Sequence, residues 1–289
     1  MGKTGIFSII LVVPYCLSPI AYRPSSLDFP PPSMIYKCME KIKTIYSPVF
    51  LTDYPTVDCE NPDRVEFIHA KIKDIADFIE PEPCTLSDLA LCHSDALIKT
   101  VGRTKEIFDT AVLAAGGAMM AAEIALREPS FALIRPPGHH AGNNFNGGFC
   151  FFNNMAIAVK NLLAHDTIES ALIVDIDLHY GNGTYDIVRS DPRIAFRNID
   201  ARSREAFFAD LDEALADASK FDILGCSVGF DTYVRDWGGL LFGEDYHNAG
   251  ARLVSANRRL FCLLEGGYYV ADLGVNARFL IQGILKGCS

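Results

Sequence analysis

The sequence has little of what binding to nucleic acids or insertion into a membrane would need. Its 289 residues carry 26 Lys and Arg against 36 Asp and Glu, a net charge of −10, so a basic surface for phosphate groups is lacking. An apolar run at residues 6–13 is too short to span a bilayer. We therefore expect neither a nucleic acid nor a membrane as a partner.

The sequence also lacks a pattern of cysteines that would indicate disulfides or a zinc knuckle. Its nine cysteines are an odd number, spread over the whole chain without a CxxC pair, which is typical of reduced, buried thiols. We expect a cytoplasmic protein. A signal peptide is the alternative interpretation of Lys3 and the apolar run, but a small-residue cleavage site is poor.

Composition indicates one large globular domain, because 49% of the residues are hydrophobic and 21% are charged. Residues 22–34 contain four prolines, which fit neither a helix nor a central strand and indicate a linker. We therefore predict an N-terminal extension of uncertain structure at residues 1–40 and one folded domain at residues 41–289.

Within that domain, short apolar runs alternate with longer helical patterns. Predicted strands are residues 42–46, 131–134, 171–177, 222–228 and 260–264, and predicted helices are residues 62–78, 107–127, 154–165, 203–219 and 244–257. The apolar runs lack a strict alternation of apolar and polar residues, which is typical of strands that are buried on both faces. The fold class is α/β, a single domain of three α/β/α layers with a mostly parallel sheet.

Polar clusters follow four of these strands, where an open parallel sheet usually binds its ligand. In the strand that ends in Asp175, Asp177 and His179, alternation predicts that all three side chains project to one side. Two carboxylates that close repel unless a cation lies between them. Asp231 follows a third strand and is another candidate ligand for a metal such as Zn²⁺. The alternative is a set of capping acids beside a surface histidine.

Candidate proton-transfer and oxyanion groups lie in two glycine-containing loops. His139 and His140 follow a turn of two prolines and a glycine, and imidazoles pass protons near neutral pH. Tyr268 follows two glycines, which we expect to be mobile and to let its hydroxyl donate to a developing oxyanion. The alternative is a tyrosine ring in the core.

With these residues assembled, the chain resembles the histone deacetylase and acetylpolyamine amidohydrolase family of the arginase/deacetylase fold. The resemblance covers roughly residues 42–285. Its landmarks are ENPDR at 60–64, RPPGHHA at 135–141, GFCFFNN at 148–154, DIDLHYGNGT at 175–184, GFDT at 229–232 and LEGGY at 264–268. It implies a metal-dependent amidohydrolase that removes acetyl or short acyl groups from acylated amines in a protein, peptide or polyamine.

The resemblance also implies a role for each matching residue. Asp177, His179 and Asp231 would hold Zn²⁺, with Fe²⁺ as an alternative, and a monovalent cation such as K⁺ would bind beside it. The remaining assignments are His139 and His140 for proton transfer, Asp175 to orient His139, Asn182 near His140, Tyr268 to polarise the carbonyl, Arg64 in an acetate channel, and Phe149, Gly148 and Gly267 for substrate binding.

Two departures from the family predict an open pocket. Only fifty-one residues separate His179 from Asp231. The longer glycine-rich stretch that brings the aromatic wall opposite Phe149 in the family has no clear counterpart here. The segment between His93 and Phe108 is short as well. Rival interpretations are a non-catalytic module that binds acylated ligands and an arginase-like ureohydrolase, which the single DxDxH makes improbable. The oligomeric state is not determined by the sequence.

Overall fold

A computed structural model describes residues 39–288 of the chain. The apolar run at residues 6–13 and the proline-rich segment lie outside the described residues. The predicted division at residue 40 therefore stays a prediction.

The described residues form a seven-stranded sheet in which all neighbouring strands are parallel. Its strand order is β2-β1-β3-β7-β6-β4-β5. The strands are β1 (Ile42–Ile45), β2 (Ala76–Ile79), β3 (Ser130–Ala132), β4 (Ala171–Asp175), β5 (Ile194–Asn198), β6 (Ile223–Val228) and β7 (Leu260–Leu264). The four central strands β3, β7, β6 and β4 are buried along their whole length, which explains why their sequences are continuously apolar rather than alternating.

The described residues form nine α-helices, and seven of them pack in two groups. The helices are α1 (Asp63–Ile72), α2 (Leu86–Ala90), α3 (Asp95–Val101), α4 (Lys105–Ala125), α5 (Asn154–Ala164), α6 (Asn182–Val188), α7 (Arg204–Leu215), α8 (Gly243–Ala256) and α9 (Val270–Gly287). Helices α1, α9, α8 and α7 contact one another in turn, as do α4, α5 and α6. The sheet with its flanking helices confirms the predicted α/β class.

Helix α4 uses small residues to lie close to its neighbours. At Gly116 an added Cβ would lie 1.9 Å from the carbonyl oxygen of Glu82, and at Gly117 it would meet side chains from β1 and from the segment after β3. The helix is long and apolar enough to cross a membrane by length and composition, but 56% of its most apolar window is buried inside the protein. Core packing accounts for its apolar character.

All five predicted strands are present, but several boundaries and elements differ from the sequence prediction. The predicted helix at residues 62–78 ends at Ile72, and its last residues form β2 at the sheet edge. Strand β4 ends at Asp175 rather than at residue 177. Strand β5 and helices α2, α3, α6 and α9 were not predicted. Edge strands β2 and β5 are only partly buried, so their mixed polarity gave no strand pattern.

Candidate active site

Three side chains converge beyond the carboxyl ends of β4 and β6. One ligand atom from each of Asp177, His179 and Asp231 lies within 4.8 Å of the other two. The Nδ1 atom of His179 is 3.2 Å from Asp177 Oδ1 and 2.9 Å from Asp231 Oδ2. The structure therefore brings together the three predicted metal ligands.

The route to this cluster differs from the alternation that the sequence suggested. The chain bends after Asp175, whose Oδ1 accepts the amide proton of Asp177 at 3.1 Å, and Asp177 Oδ1 accepts that of His179 at 2.8 Å. Asp175 turns instead to His139, with 3.0 Å between its Oδ2 and Nδ1 of the imidazole. Hence Asp175 lies behind a histidine, and because β4 ends at Asp175 the three residues do not form one continuous strand.

One oxygen of this cluster has no hydrogen-bond partner among residues 39–288. Asp231 Oδ2 is buried and unsatisfied, although it is only 2.9 Å from His179 Nδ1. Because the two atoms are close without hydrogen-bond geometry, Asp231 Oδ2 keeps a lone pair for another partner. That arrangement, with two carboxylates and an imidazole, fits a divalent metal ion.

The electrostatics of the cluster also favour a cation. Burial and the neighbouring charge of Asp177 raise the pKa of Asp231 to about 7. The neighbouring carboxylates of Asp177 and Asp231 raise the pKa of His179 to about 10. In the protein alone, a proton on His179 thus offsets part of the negative charge of the two acids, and a metal ion would take over that role.

A second group of possible ligands, His139, Cys150 and Glu265, is filled by hydrogen bonds instead. Glu265 Oε2 accepts the amide protons of Gly138 at 2.7 Å and His139 at 3.1 Å, and Oε1 accepts the hydroxyl of Ser227 at 3.1 Å. Cys150 Sγ donates to the carbonyl oxygen of Gly148. Because these atoms are already paired, we interpret the group as a support for the histidine loop and not as a metal site.

The two histidines differ in environment although their rings lie 4.0 Å apart. Burial opposes protonation of His139, but the carboxylates of Asp177 and Asp175 outweigh it and raise its pKa well above the ordinary value. Burial and the charge of His139 lower the pKa of His140 to about 4. The Nδ1 atom of His140 is 2.6 Å from Asn182 Oδ1. One histidine is therefore charged and the other neutral.

Tyr268 lies at the front of the site on a loop that is tied down. Gly266 donates its amide proton to Asp177 Oδ2 at 2.8 Å, and a Cβ there would lie 2.6 Å from the same oxygen. Arg64 is fully buried and donates to the carbonyl oxygens of Glu265 and Gly267. Gly266 thus allows close approach to the candidate metal ligands, and the carbonyl oxygen of Gly267 is bound by Arg64, so the expectation that the two glycines are mobile is not supported.

Arg64 lies under this loop within a buried ion network. Its guanidinium is 5.0 Å from the centre of the Tyr268 ring. Glu60 Oε1 accepts from both Arg64 at 3.4 Å and Arg135 at 2.7 Å, and Arg135 also covers the Tyr54 ring. Arg64 is therefore part of a buried network and not of a surface ion pair. Its assignment to an acetate channel stays a prediction.

An aromatic rim surrounds the approach to the histidines. Gly148 and Phe149 both have positive φ angles, 53° and 67°, and a Cβ at Gly148 would clash with the ring of His140. The turn presents Phe149 edge-on to Tyr268, with 5.9 Å between ring centres. On the other side Trp237 stacks on Tyr268 at 4.2 Å.

Sequence reasoning assigned no role to Glu265, Glu60 or Asp236. Glu265 could have been found, because an acid directly after the buried run of β7 needs a partner. Asp236 binds the amide protons of Tyr268 and Tyr269 with one oxygen, at 2.6 and 2.7 Å. These two hydrogen bonds join residues that are 32 and 33 positions apart in the sequence, and no local signal indicates them.

The matched family model is the histone deacetylase domain, over residues 58–208. The chain is 35% identical to a protein of Methanothermobacter thermautotrophicus named "Probable deacetylase". The match spans 260 residues and covers 72% of this chain and 78% of that protein. It is also 35% identical to acetylpolyamine amidohydrolase 1 of Pseudomonas aeruginosa. That match spans 191 residues and covers 53% of this chain and 55% of that relative. The chain thus covers little more than half the length of the latter.

Solved structures show the same fold. The HD domain of HDA15 superposes with a TM-score of 0.77 at 22% identity, over 85% of this chain and 89% of that one. An acetylpolyamine aminohydrolase from Burkholderia pseudomallei gives a TM-score of 0.76 at 21% identity, over 84% of this chain and 98% of that one.

The chain belongs to the histone deacetylase domain family. The family and fold that the sequence indicated are therefore confirmed. The names of the relatives also support the predicted class of enzyme, a deacetylase that hydrolyses amide bonds.

Proposed function

We propose that the protein is a zinc-dependent amidohydrolase that removes acetyl or other short acyl groups from acylated amines. The observation that carries the proposal is the buried, unpartnered Asp231 Oδ2, which faces His179 Nδ1 beside the histidine pair. Acetylated polyamines and acetyl-lysine are both candidate substrates, since relatives are named as acetylpolyamine amidohydrolases and as histone deacetylases.

Asp177, His179 and Asp231 would hold the metal ion, leaving room for water and substrate beside three protein ligands. Zn²⁺ suits this mixed oxygen and nitrogen set, and Fe²⁺ is the alternative. When bound, such an ion polarises the acyl carbonyl and activates water for attack. A monovalent cation such as K⁺ beside Asp175 is a further part of the proposal.

His140 is suited to accept a proton. The side-chain oxygen of Asn182 can only accept a hydrogen bond, so the Nδ1 atom of His140 carries the proton in their 2.6 Å contact. The lone pair is then on Nε2, and the low pKa of His140 keeps it available at neutral pH. His140 can take the proton of the attacking water and later give it to the leaving amine.

His139 sets the charge of the pair. Asp175 binds its Nδ1 atom, and Asp177 Oδ1 lies 3.9 Å from its Nε2 atom. Those carboxylates hold it in the charged form, which stabilises negative charge that develops at the carbonyl during attack. Because that charge also lowers the pKa of His140, the pair divides into one permanent cation and one base.

Tyr268 is the candidate donor to the oxyanion. Its hydroxyl stays protonated at working pH because burial raises its pKa. The hydrogen bonds from its own amide to Asp236 and from Arg64 to the glycine loop fix the backbone that carries it. Because the donor is already in place, little of the protein has to reorganise when negative charge develops on the carbonyl oxygen.

The test combines metal content with turnover on acetylated amines. We expect about one Zn²⁺ per chain in the natural protein and loss of that stoichiometry in Asp177→Ala, His179→Ala and Asp231→Ala, because each removes one of three protein ligands. Tyr268→Phe serves as the control that keeps its metal. Full zinc occupancy in Asp231→Ala would show that the third ligand is misplaced.

The same test separates the rival functions. A module that only binds acylated ligands would show no turnover with its metal bound, and a ureohydrolase would act on a guanidinium compound instead. The neutral His140 and the charged His139 favour the hydrolase, because a binding module needs no proton acceptor.

A further inference from the structure

Trp237 occupies a position at the mouth of the site that none of the assigned roles explains. Its ring stacks on Tyr268 with an interplanar angle of 25° and stands perpendicular to the ring of the metal ligand His179, with 5.8 Å between their centres. It is nevertheless 56% exposed. An indole that contacts both the oxyanion donor and a metal ligand and keeps an open surface can also contact the substrate.

The backbone on both sides of Trp237 is fixed to catalytic elements. Asp236 Oδ1 accepts the amide proton of Trp237 at 2.8 Å, while Oδ2 binds the amides of Tyr268 and Tyr269. On the other side, Gly238 donates its amide proton to the carbonyl oxygen of Asp231 at 2.7 Å. The indole is therefore held in place before a substrate arrives, which reduces the entropy cost of binding.

The Trp237 indole has a surface that no cation of the described residues covers. No Lys or Arg is stacked on the Trp237 ring in the described part of the chain, whereas Arg64 and Arg235 cover the neighbouring tyrosines Tyr268 and Tyr269. Trp237 also lines a cavity of about 340 Å³ together with Asp177 and Asp200. Arg202 lines this cavity too, with 3.6 Å between its guanidinium and Asp200. Indole is the aromatic side chain that attracts cations most strongly.

We propose that the open face of Trp237 binds an ammonium group of the substrate and so selects acylated amines that carry a second, charged nitrogen. The proposal rests on the proposed function, because the acyl group of that substrate would lie at the metal cluster. It assigns to Trp237 the wall opposite Phe149 that the short segment after His179 does not supply. A peptide with a neutral backbone near its acetyl-lysine would gain nothing from this contact.

The first test compares two substrates that differ in charge alone. N-Acetylputrescine ends in an ammonium, and N-pentylacetamide has a methyl group in its place. In the metal-loaded natural protein we expect kcat/KM to be at least about fivefold higher for the charged compound. Trp237→Leu should abolish this ratio, Trp237→Phe should keep part of it, and Phe67→Leu, at an exposed aromatic residue of α1, should leave it unchanged. An unchanged ratio in Trp237→Leu would overturn the proposal.

The second test does not need turnover, because Trp237 is the single tryptophan of the chain. Its fluorescence in the metal-loaded protein reports directly on the proposed contact. We expect a saturable change with N-acetylputrescine at a Kd about fivefold or more below that for N-pentylacetamide. Equal or weaker binding of the charged compound would refute the role of Trp237. Binding with this preference but without hydrolysis would instead refute the proposed function.

Discussion

At the scale of single residues, the site depends on charges that are costly to bury. Asp231 lies beside Asp177 without enough compensation in the metal-free protein, and burial with this neighbouring charge raises its pKa to about 7. A carboxyl whose pKa is higher in the folded than in the unfolded chain destabilises the fold once it is ionised. The ionised form of this proposed metal ligand is thus unfavourable for the stability of the metal-free protein.

This cost predicts that Asp231→Asn stabilises the metal-free protein at high pH. The ordinary pKa of an aspartate is 3.8, so the cost of ionising Asp231 grows as the pH rises from about 4 to about 7 and is complete above that. At pH 8 we expect the variant to gain roughly 1–3 kcal/mol in free energy of unfolding, measured with urea in the presence of a chelator. At pH 4 the difference should vanish.

Asp74→Asn is the control of opposite sign for that prediction. Its hydrogen bonds with Arg278 lower the pKa of Asp74 to about 2, so its contribution to stability is present above pH 4 and lost at lower pH. This variant should lose a little stability at pH 8. If Asp231→Asn also loses stability at pH 8, the charge balance described for the metal ligands is wrong.

Tyr268 provides the second prediction at this scale. Tyr268→Phe removes one hydroxyl and leaves the ring that stacks on Trp237, so we expect kcat to fall on the order of a hundredfold or more while the zinc content stays the same. Tyr269→Phe, in the adjacent position, is the matched control and should retain most activity. A near-normal rate in Tyr268→Phe would make Tyr268 a packing residue only.

At the scale of elements, the site is assembled by loops that follow four central strands. The loop after β3 carries the histidines, that after β4 carries Asp177 and His179, and those after β6 and β7 carry Asp231 and Tyr268. Parallel strands end at the same edge of a sheet, so residues that are far apart in sequence meet there. The geometry of the site therefore depends on how closely the helices pack on these strands.

Helix α4 gives a prediction of this dependence. Gly116→Ala would place a methyl group 1.9 Å from the backbone carbonyl oxygen of Glu82, and backbone cannot move aside as a flexible side chain can. We expect a loss of about 2–4 kcal/mol in the free energy of unfolding. Gly147→Ala is the control, because an added Cβ there has no atom within 4 Å. Equal stability of the two variants would show that α4 can shift away from the Glu82 loop.

At the scale of the whole molecule, the described residues contain the seven-stranded sheet and the candidate site. Met39 already packs against the core, and β1 begins three residues later. We predict that a chain without residues 1–38 folds, binds zinc and keeps its turnover, measured by thermal unfolding, metal content and kcat/KM. Loss of soluble protein on this deletion would show that the apolar run at residues 6–13 contributes to the core.

The sequence alone determined the fold class, the five predicted strands and the set of residues that meet at the site. Continuous apolar runs identify strands buried on both faces, and acids or histidines directly after such runs identify one edge of the sheet. These signals are local. They are sufficient to identify Asp177, His179, Asp231, His139 and Tyr268 as candidate site residues.

Only the tertiary structure decided how those residues are supported. The carboxylate of Glu265 under the histidine loop, the contact of Arg64 with the glycine loop and the link from Asp236 to Tyr268 join segments 32 to 203 residues apart. The contacts of Trp237 with Tyr268 and His179 also join segments that are far apart in the sequence. Such contacts depend on which strands are adjacent and on how the loops between them close, and no short-range periodicity carries that information.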